Sequence, residues 1–392
     1  MIITSLKYYS CLVLTVFVFC SALNFPQPLP SKIIFDKLTI ENGLSSSGIY
    51  AIHQDKTGFI WFGTENGLNR YDGYNFKIFK HNRDDVNSIA DDYTWDICED
   101  KEGNLWFATN NGLDKYNPLT GKFTHFVNNP NDSNSVSSNL ISSIAVDAEN
   151  NLWVGTWDAG FNIYSPSTNK FKRFHSGNFI IQSELVWYIF RDSKNNMWVG
   201  TEGGGLLRYN YVEKNYSIFL VRKIITSICE DSEGDLWFGT YGDGLIQYDY
   251  VKNNFTDFRS STSNTNSIAD DYIWKVYTDS KGLLWIAGTA KGLTQYDKSQ
   301  NRFTRLSHNP YDALSMSSNL VLDIYEDRAN NLWIGTVDKG LNKTDRKPKK
   351  FHHLKSELNN PNSLRGDFIL SLCEDQSGNV WISNYNEGVT KY

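Results

Sequence analysis

The sequence predicts an all-β propeller of four-stranded blades, on three observations. One segment with Asp, Gly or Asn, and Trp at fixed spacing recurs eight times; its copies stand 39 to 48 residues apart; and aromatic residues make up 15% of the 392-residue chain. A period of that length with four short strands per copy is the signature of a propeller blade. Frequent Gly, Asn, Asp and Ser between short apolar runs fit many strands joined by turns.

Each element of the blade follows from the repeat. The first strand alternates, as in Ile49-Tyr50-Ala51-Ile52-His53-Gln54, and ends at an Asp six residues before every motif Trp: Asp55, Asp100, Asp147, Asp192, Asp231, Asp279, Asp327 and Asp375. Gly or Asn stands three residues before each Trp, at 58, 103, 150, 195, 234, 282, 330 and 378. Those residue types tolerate positive φ, which predicts a tight hairpin held by the Asp side chain. The second strand carries the motif Trp, at 61, 106, 153, 198, 237, 285, 333 and 381, usually followed by a small residue and Thr, as in Trp61-Phe62-Gly63-Thr64. A residue that recurs in every blade fills the same packing slot, so Trp61, Trp106, Trp153, Trp198, Trp237, Trp285, Trp333 and Trp381 are assigned to structure. The third strand begins at a Gly plus an apolar residue (Gly67-Leu68, Gly244-Leu245) and runs to a Tyr, except that Thr344 takes this place in the seventh copy. The fourth shows two apolar residues three apart, as in Phe123/Phe126, Phe171/Phe174, Phe255/Phe258 and Phe303/Leu306.

The ends set the blade count. Phe35 and Leu38 have fourth-strand spacing but precede the first repeat, while the eighth repeat stops at Tyr392 within its third strand. The expectation is an eight-bladed ring in which the N-terminal strand completes the last blade and leaves no open edge. Seven blades followed by the start of a second propeller is the alternative. Ahead of the propeller, assigned to 33–392, Lys7 precedes an apolar run from Tyr8 to Cys20 and then Ser21-Ala22. That run is too short to span a bilayer, so residues 1–22 read as a secretory signal peptide.

Net charge is −6 without acidic or basic blocks, which argues against a nucleic-acid partner. Cys98, Cys229 and Cys373 each stand eight residues before a motif Trp. Equivalent positions on separate blades do not reach disulfide distance, so they are expected to be buried thiols. No CxxC or paired His spacing suggests a metal, and no cofactor is implied.

The blades resemble the two-component regulator propeller repeat family, whose repeat reads much like D-x-x-G-N-L-W-I-G-T followed by G-L-N-x-Y-D. The opening Phe35-Asp36-Lys37-Leu38, through Gly43-Leu44-Ser45-Ser46 to Ile49 and Ile52, is similar to the family's start. The resemblance implies the periplasmic sensor region of a hybrid two-component histidine kinase, binding oligosaccharide breakdown products and regulating polysaccharide utilisation. A homodimer or downstream sensor and kinase domains are the partners it implies. The mature chain shows no second apolar span and no kinase segment, so a sensing or binding module is expected here, not an enzyme. Readings left open are a stand-alone protein–protein scaffold and a propeller glycosidase or lyase using a carboxylate pair from Glu65, Asp92, Glu202, Asp243 and Asp271.

Four Trps break the repeat and mark a candidate ligand site. Trp95, Trp187 and Trp274 lie eleven residues before a motif Trp, with Tyr50 as their equivalent in the first copy, and Trp157 lies in a turn between second and third strands. In a propeller these positions converge on one rim around the central channel. Flat rings beside polar groups suit stacking on a sugar or gripping a peptide. The polar and aromatic neighbours proposed with them are Asp92, Tyr93, Asp271, Tyr272, Glu65, Glu202, Tyr241 and Asp243. The competing reading is that these rings plug the channel mouth or pack between blades.

Overall fold

The computed structural model describes residues 33–178, 181–345, 354–356 and 360–392. The expected signal peptide lies outside the described residues. Each repeat is built around one carboxylate. In all eight copies the motif Trp donates its Nε1–H to Oδ2 of the Asp six residues earlier, at 2.5 to 3.1 Å. The other oxygen caps the hairpin: Asp55 Oδ1 accepts from the backbone of Gly58 at 2.9 Å and Phe59 at 3.1 Å. The Gly or Asn three residues before each Trp has φ between +64° and +106°, as the turn requires. One side chain thus closes the turn and satisfies a buried indole.

The small residue after the Trp has a different cause. Gly63, Gly200 and Gly335 sit where a Cβ would come within 3 Å of Thr94 O, Ile225 O and Ile49 Cγ2. These atoms belong to the first strand of the next blade, so glycine here sets how closely neighbouring blades approach. Ala108 and Ala287 are the only larger residues at this position in the ring.

Blade 1 comprises strands Ile49–Gln54, Ile60–Thr64, Gly67–Tyr71 and Phe76–Phe79, paired antiparallel in chain order. Five further blades repeat that order, ending with Arg302–Leu306. Blade 7 is composite: Val321–Glu326, Asn331–Thr336 and Leu341–Asp345 are joined at the outer edge by Asp36–Leu38. Its register pairs Asp36 with Lys343, Lys37 with Asn342 and Leu38 with Leu341. The N-terminal strand therefore closes the seventh blade and not the eighth.

The ring closes at seven. First strands contact one another around the channel, and the strand Val321–Glu326 of blade 7 contacts Ile49–Gln54 of blade 1. Across that seam Ile52 N donates to Asp323 Oδ2 at 2.7 Å, and Arg328 holds Gln54 and the Lys56 carbonyl. Trp333 packs against Phe62 and Tyr71 with ring centroids 5.5 and 5.8 Å apart. The expected eight-bladed ring gives way to the alternative, because blade 1 already occupies the face that an eighth blade would need. The eighth repeat forms a separate three-stranded sheet, Ile369–Glu374, Val380–Asn384 and Gly388–Lys391. It keeps the Asp–Trp hydrogen bond, yet Trp381 is 38% exposed, whereas the seven ring Trps are 0 to 1% exposed. Burial of cysteine follows the same division: Cys229 is buried and Cys98 half-buried, while Cys373, expected to be buried, is exposed on the eighth sheet.

Candidate functional site

The rim is built by a bulge at the start of every first strand. Pairing with the second strand skips one residue between, for example, Ile49 and Ala51, Thr94 and Asp96, and Val186 and Tyr188. A bulge re-aims a side chain, and here the skipped residue is Tyr50, Trp95, Ser142, Trp187, Thr226, Trp274 or Leu322, all lining the mouth of one cavity. The structure brings Tyr50, Trp95, Trp157, Trp187 and Trp274 together as one continuous arc. Tyr50 meets Trp95 at 5.1 Å, Trp95 meets Trp157 at 5.3 Å, Trp157 meets Trp187 at 5.0 Å and Trp187 meets Trp274 at 5.5 Å, all edge to face. Trp157 supplies the ring that blade 3 lacks, since its first strand carries Ser142 at the skipped position. Tyr93 extends the arc, 4.8 Å from Tyr50 and 4.5 Å from Trp95.

Beneath the collar the cavity is small, about 60 Å³. Its floor comes from the next position along each first strand, including Asp96, Ser143, Tyr188, Lys275 and Asp323. Lys275 Nζ lies 2.8 Å from Asp323 Oδ1 and 3.1 Å from the Tyr188 hydroxyl. Burial alone would lower the Lys275 pKa, but Asp323, Tyr188 and Asp96 more than offset it and hold the ammonium above the usual lysine range. Asp96 is pushed up by burial, partly countered by Lys275. Asp96 Oδ2 accepts from Ser143 Oγ at 2.8 Å and from the Ile144 backbone of the next blade at 2.9 Å.

The polar candidates divide. Glu202 Oε2 accepts from Trp187 Nε1 at 3.3 Å, and Glu65 Oε1 accepts from Ser46 Oγ at 3.0 Å; both carboxylates are exposed. Asp92 and Asp271 hold loops instead. Each Oδ1 accepts a backbone N–H eleven residues upstream, from His81 at 2.8 Å and Ser260 at 2.6 Å. Asn139 and Asn319 do the same for Asn128 and His308, which marks a repeated structural role. Tyr241 and Tyr272 form a separate exposed pair 5.0 Å apart and are not among the cavity's lining residues. Asp243 is tied to Arg259 at 2.6 Å and Lys223 at 3.2 Å.

Sequence reasoning missed the floor. A signal was present: ten residues before the motif Trp the copies read Ala51, Asp96, Ser143, Tyr188, Ser227, Lys275 and Asp323. The types vary there although the next position is always Ile or Val, at 52, 97, 144, 189, 228, 276 and 324, as expected for side chains facing a channel.

The sequence profile of the two component regulator propeller matches residues 43–66, 88–111, 135–158, 181–203, 220–242, 315–338 and 363–386. The chain belongs to the two component regulator propeller family. Among solved structures it is similar to the extracellular domain of the hybrid two component system BT3049 from B. thetaiotaomicron, with a TM-score of 0.76 and 29% identity over 92% of this chain and 48% of that one. The extracellular domain of the hybrid two component system BT4673 from B. thetaiotaomicron shares the fold, with a TM-score of 0.65 at 20% identity over 92% of this chain and 52% of that one. Histidine kinase P4 of Formosa agariphila is 45% identical over 60 residues, 15% of this chain and 4% of that protein. The propeller thus spans about half the length of the solved extracellular domains that it matches. No helix among the described residues is long and apolar enough to cross a membrane.

Proposed function

We propose that this propeller is the ligand-sensing part of a two component regulator, exported to the periplasm, and that it binds oligosaccharide fragments on the aromatic rim, through which it regulates polysaccharide utilisation. The observation that carries the reading is the arc of five rings from Tyr50 to Trp274 around one channel mouth. Aromatic rings flanked by the exposed carboxylates of Glu65 and Glu202 offer a sugar both a stacking surface and hydrogen-bond acceptors. The likeness to an extracellular domain of a hybrid two component system supports the sensing role.

One observation favours a second reading. The rings pack edge to face on one another over a cavity of only about 60 Å³, as a collar that seals the channel would. In that case the rim serves a scaffold that docks a protein. The two readings separate in a thermal-shift and Trp-fluorescence screen of the purified chain against plant, host and microbial oligosaccharides. A stabilising glycan that remains intact, and whose effect is lost in Trp95→Ala and Trp274→Ala, supports the sensor. A folded chain that answers no glycan favours the scaffold, and a glycan that is cleaved turns the reading towards a glycosidase or lyase.

A further inference from the structure

We infer that the cavity under the collar is a subsite for one neutral hydroxymethyl arm, so that the rim selects hexose units over pentoses and uronates. The inference rests on the glycan reading above and names the sugar class.

Size sets the first limit. A buried water needs roughly 10–15 Å³ of such space, so about 60 Å³ admits only a few atoms. A pyranose ring stays on the collar, and only a short arm reaches below it.

Hydrogen bonding sets the second. Among the cavity-lining side chains three buried polar atoms lack a hydrogen bond: Asp323 Oδ1, which instead faces the Lys275 ammonium at 2.8 Å, and Ser142 Oγ and Trp157 Nε1. Ser142 is only 5% exposed. Their counterparts are occupied. Trp95 Nε1 donates to Asn110 at 2.8 Å and Trp187 Nε1 to Glu202 at 3.3 Å. Thr226, at the Ser142 position of blade 5, donates to the Ile273 carbonyl at 2.7 Å. A buried polar group without a partner is costly. A hydroxyl that accepts from the indole or donates to the serine relieves that cost.

Charge sets the third. The floor holds Lys275 with Asp96 and Asp323. A uronate carboxylate would meet two carboxylates, and the lysine is already paired with Asp323 at 2.8 Å. An ammonium arm would meet the lysine. A neutral arm avoids both repulsions.

The test uses the purified chain and two matched sets of oligosaccharides: gluco-, xylo- and glucurono-, and galacto-, L-arabinopyrano- and galacturono-configured. Within each set the pentose is the hexose without its arm, and the uronate carries a carboxylate there. In whichever set binds by calorimetry, the hexose form is expected to bind about tenfold or more tightly than the pentose and the uronate. Ser142→Ala and Trp157→Phe, the latter keeping a ring but losing the N–H, are each expected to lower the ratio of hexose to pentose affinity about tenfold. Equal affinity of hexose and pentose, or tighter binding of the uronate, overturns the subsite while the glycan reading stands. That comparison needs no variant, so it decides even if a substitution unfolds the chain. Failure of every set to bind overturns the glycan reading and the subsite with it.

Discussion

Substituting one Trp at the seam and one on the eighth sheet tests whether the ring closes at seven blades. Trp333 is 1% exposed and stacks on Phe62 and Tyr71 of blade 1; Trp381 has the same hydrogen bond to its Asp at 2.8 Å but is 38% exposed. Truncating a buried Trp to Ala costs about 3–5 kcal/mol, because the transfer term is joined by a cavity term. Trp333→Ala removes the ring from a seam that also holds Ile49, Ile52 and Leu341, so the upper half of that range is expected. Trp381→Ala leaves no sealed void, since water enters beside an exposed ring, and only the covered part of its transfer term is lost. Roughly 1–2 kcal/mol is expected there. Urea denaturation followed by far-UV circular dichroism reads both without depending on the deleted fluorophore. The slope should match wild type, so that the shift in midpoint reports stability. An eight-bladed ring predicts equal costs, with Trp381 as a seam residue. Equal midpoint shifts would refute the seven-blade closure.

Three more outcomes follow from particular side chains. His125 Nδ1 lies 2.5 Å from Oδ1 of the fully buried Asp114, and its Nε2 meets the Val86 carbonyl at 3.1 Å. The equivalent strand positions Arg173 and Arg305 clamp the corresponding loops with permanent charge. The bond to Asp114 raises the His125 pKa, and burial raises Asp114. The histidine's stabilising contribution is therefore full below its unfolded value and fades as pH rises through the raised folded value; protonation of Asp114 removes its charge at the acidic end. Protection factors of residues 82–90, which remove the base-catalysed rise in intrinsic exchange, should fall as pH rises through that folded value, and His125→Arg should flatten the profile; wild-type protection that is already independent of pH would sink the idea. Lys275→Met leaves Asp323 and Asp96 without their cation and is expected to cost about 3 kcal/mol in urea denaturation, most of it recovered by adding Asp323→Asn; a neutral single variant would show that the pair carries no net stability. Alkylation of the native chain at pH 8, mapped by peptide mass, should label Cys373 and spare Cys229, whose thiol burial pushes up to about 12, and Cys98, which burial raises well above its usual value. Labelling of Cys229 at the Cys373 rate would contradict its burial.

The blade was legible in the sequence because its determinants are local. Asp55, Gly58 and Trp61 fall within seven residues and interact with one another, so spacing alone discloses the hairpin. Ring closure was not legible, because Phe35 and Leu38 have the same pattern whichever outer edge they join. The choice is made by contacts far apart in sequence, such as Ile52 with Asp323, 271 residues away. The aromatic arc was foreseen from residues that break the repeat. Asp92 and Asp271 were not separable from ligand-binding acids by type alone; only the upstream backbone N–H groups that they accept disclose their loop-holding role. Lys275 escaped notice because a single lysine amid alternating residues reads as a solvated position.

Scaffold and rim are held by different atoms, and they meet at the floor. The Asp–Trp locks sit at the hairpin between first and second strands, whereas the rings lie at the other end of the first strand. Rim substitutions therefore leave the locks intact, and a loss of binding in Trp274→Ala reports lost contact; Trp95 also packs on a core cluster with Trp106 and Ile144, so Trp95→Ala is read beside its melting curve. The floor is different. Asp96, Ser143 and Asp323 line the cavity and also accept the backbone N–H of Ile144, Ile189 and Ile52 from the next blade, at 2.9, 3.1 and 2.7 Å. A ligand that only stacks on the rings leaves these bonds unchanged. One that reaches the floor competes for the groups that join adjacent blades. A ligand shifts a conformational equilibrium only by its differential affinity for the two states, and at the floor its contacts touch bonds between blades. A glycan lacking the arm should accordingly bind without altering hydrogen exchange at Ile52, Ile144 and Ile189, while one carrying it should alter all or some of them. Identical exchange with both would place the origin of any signal outside the channel.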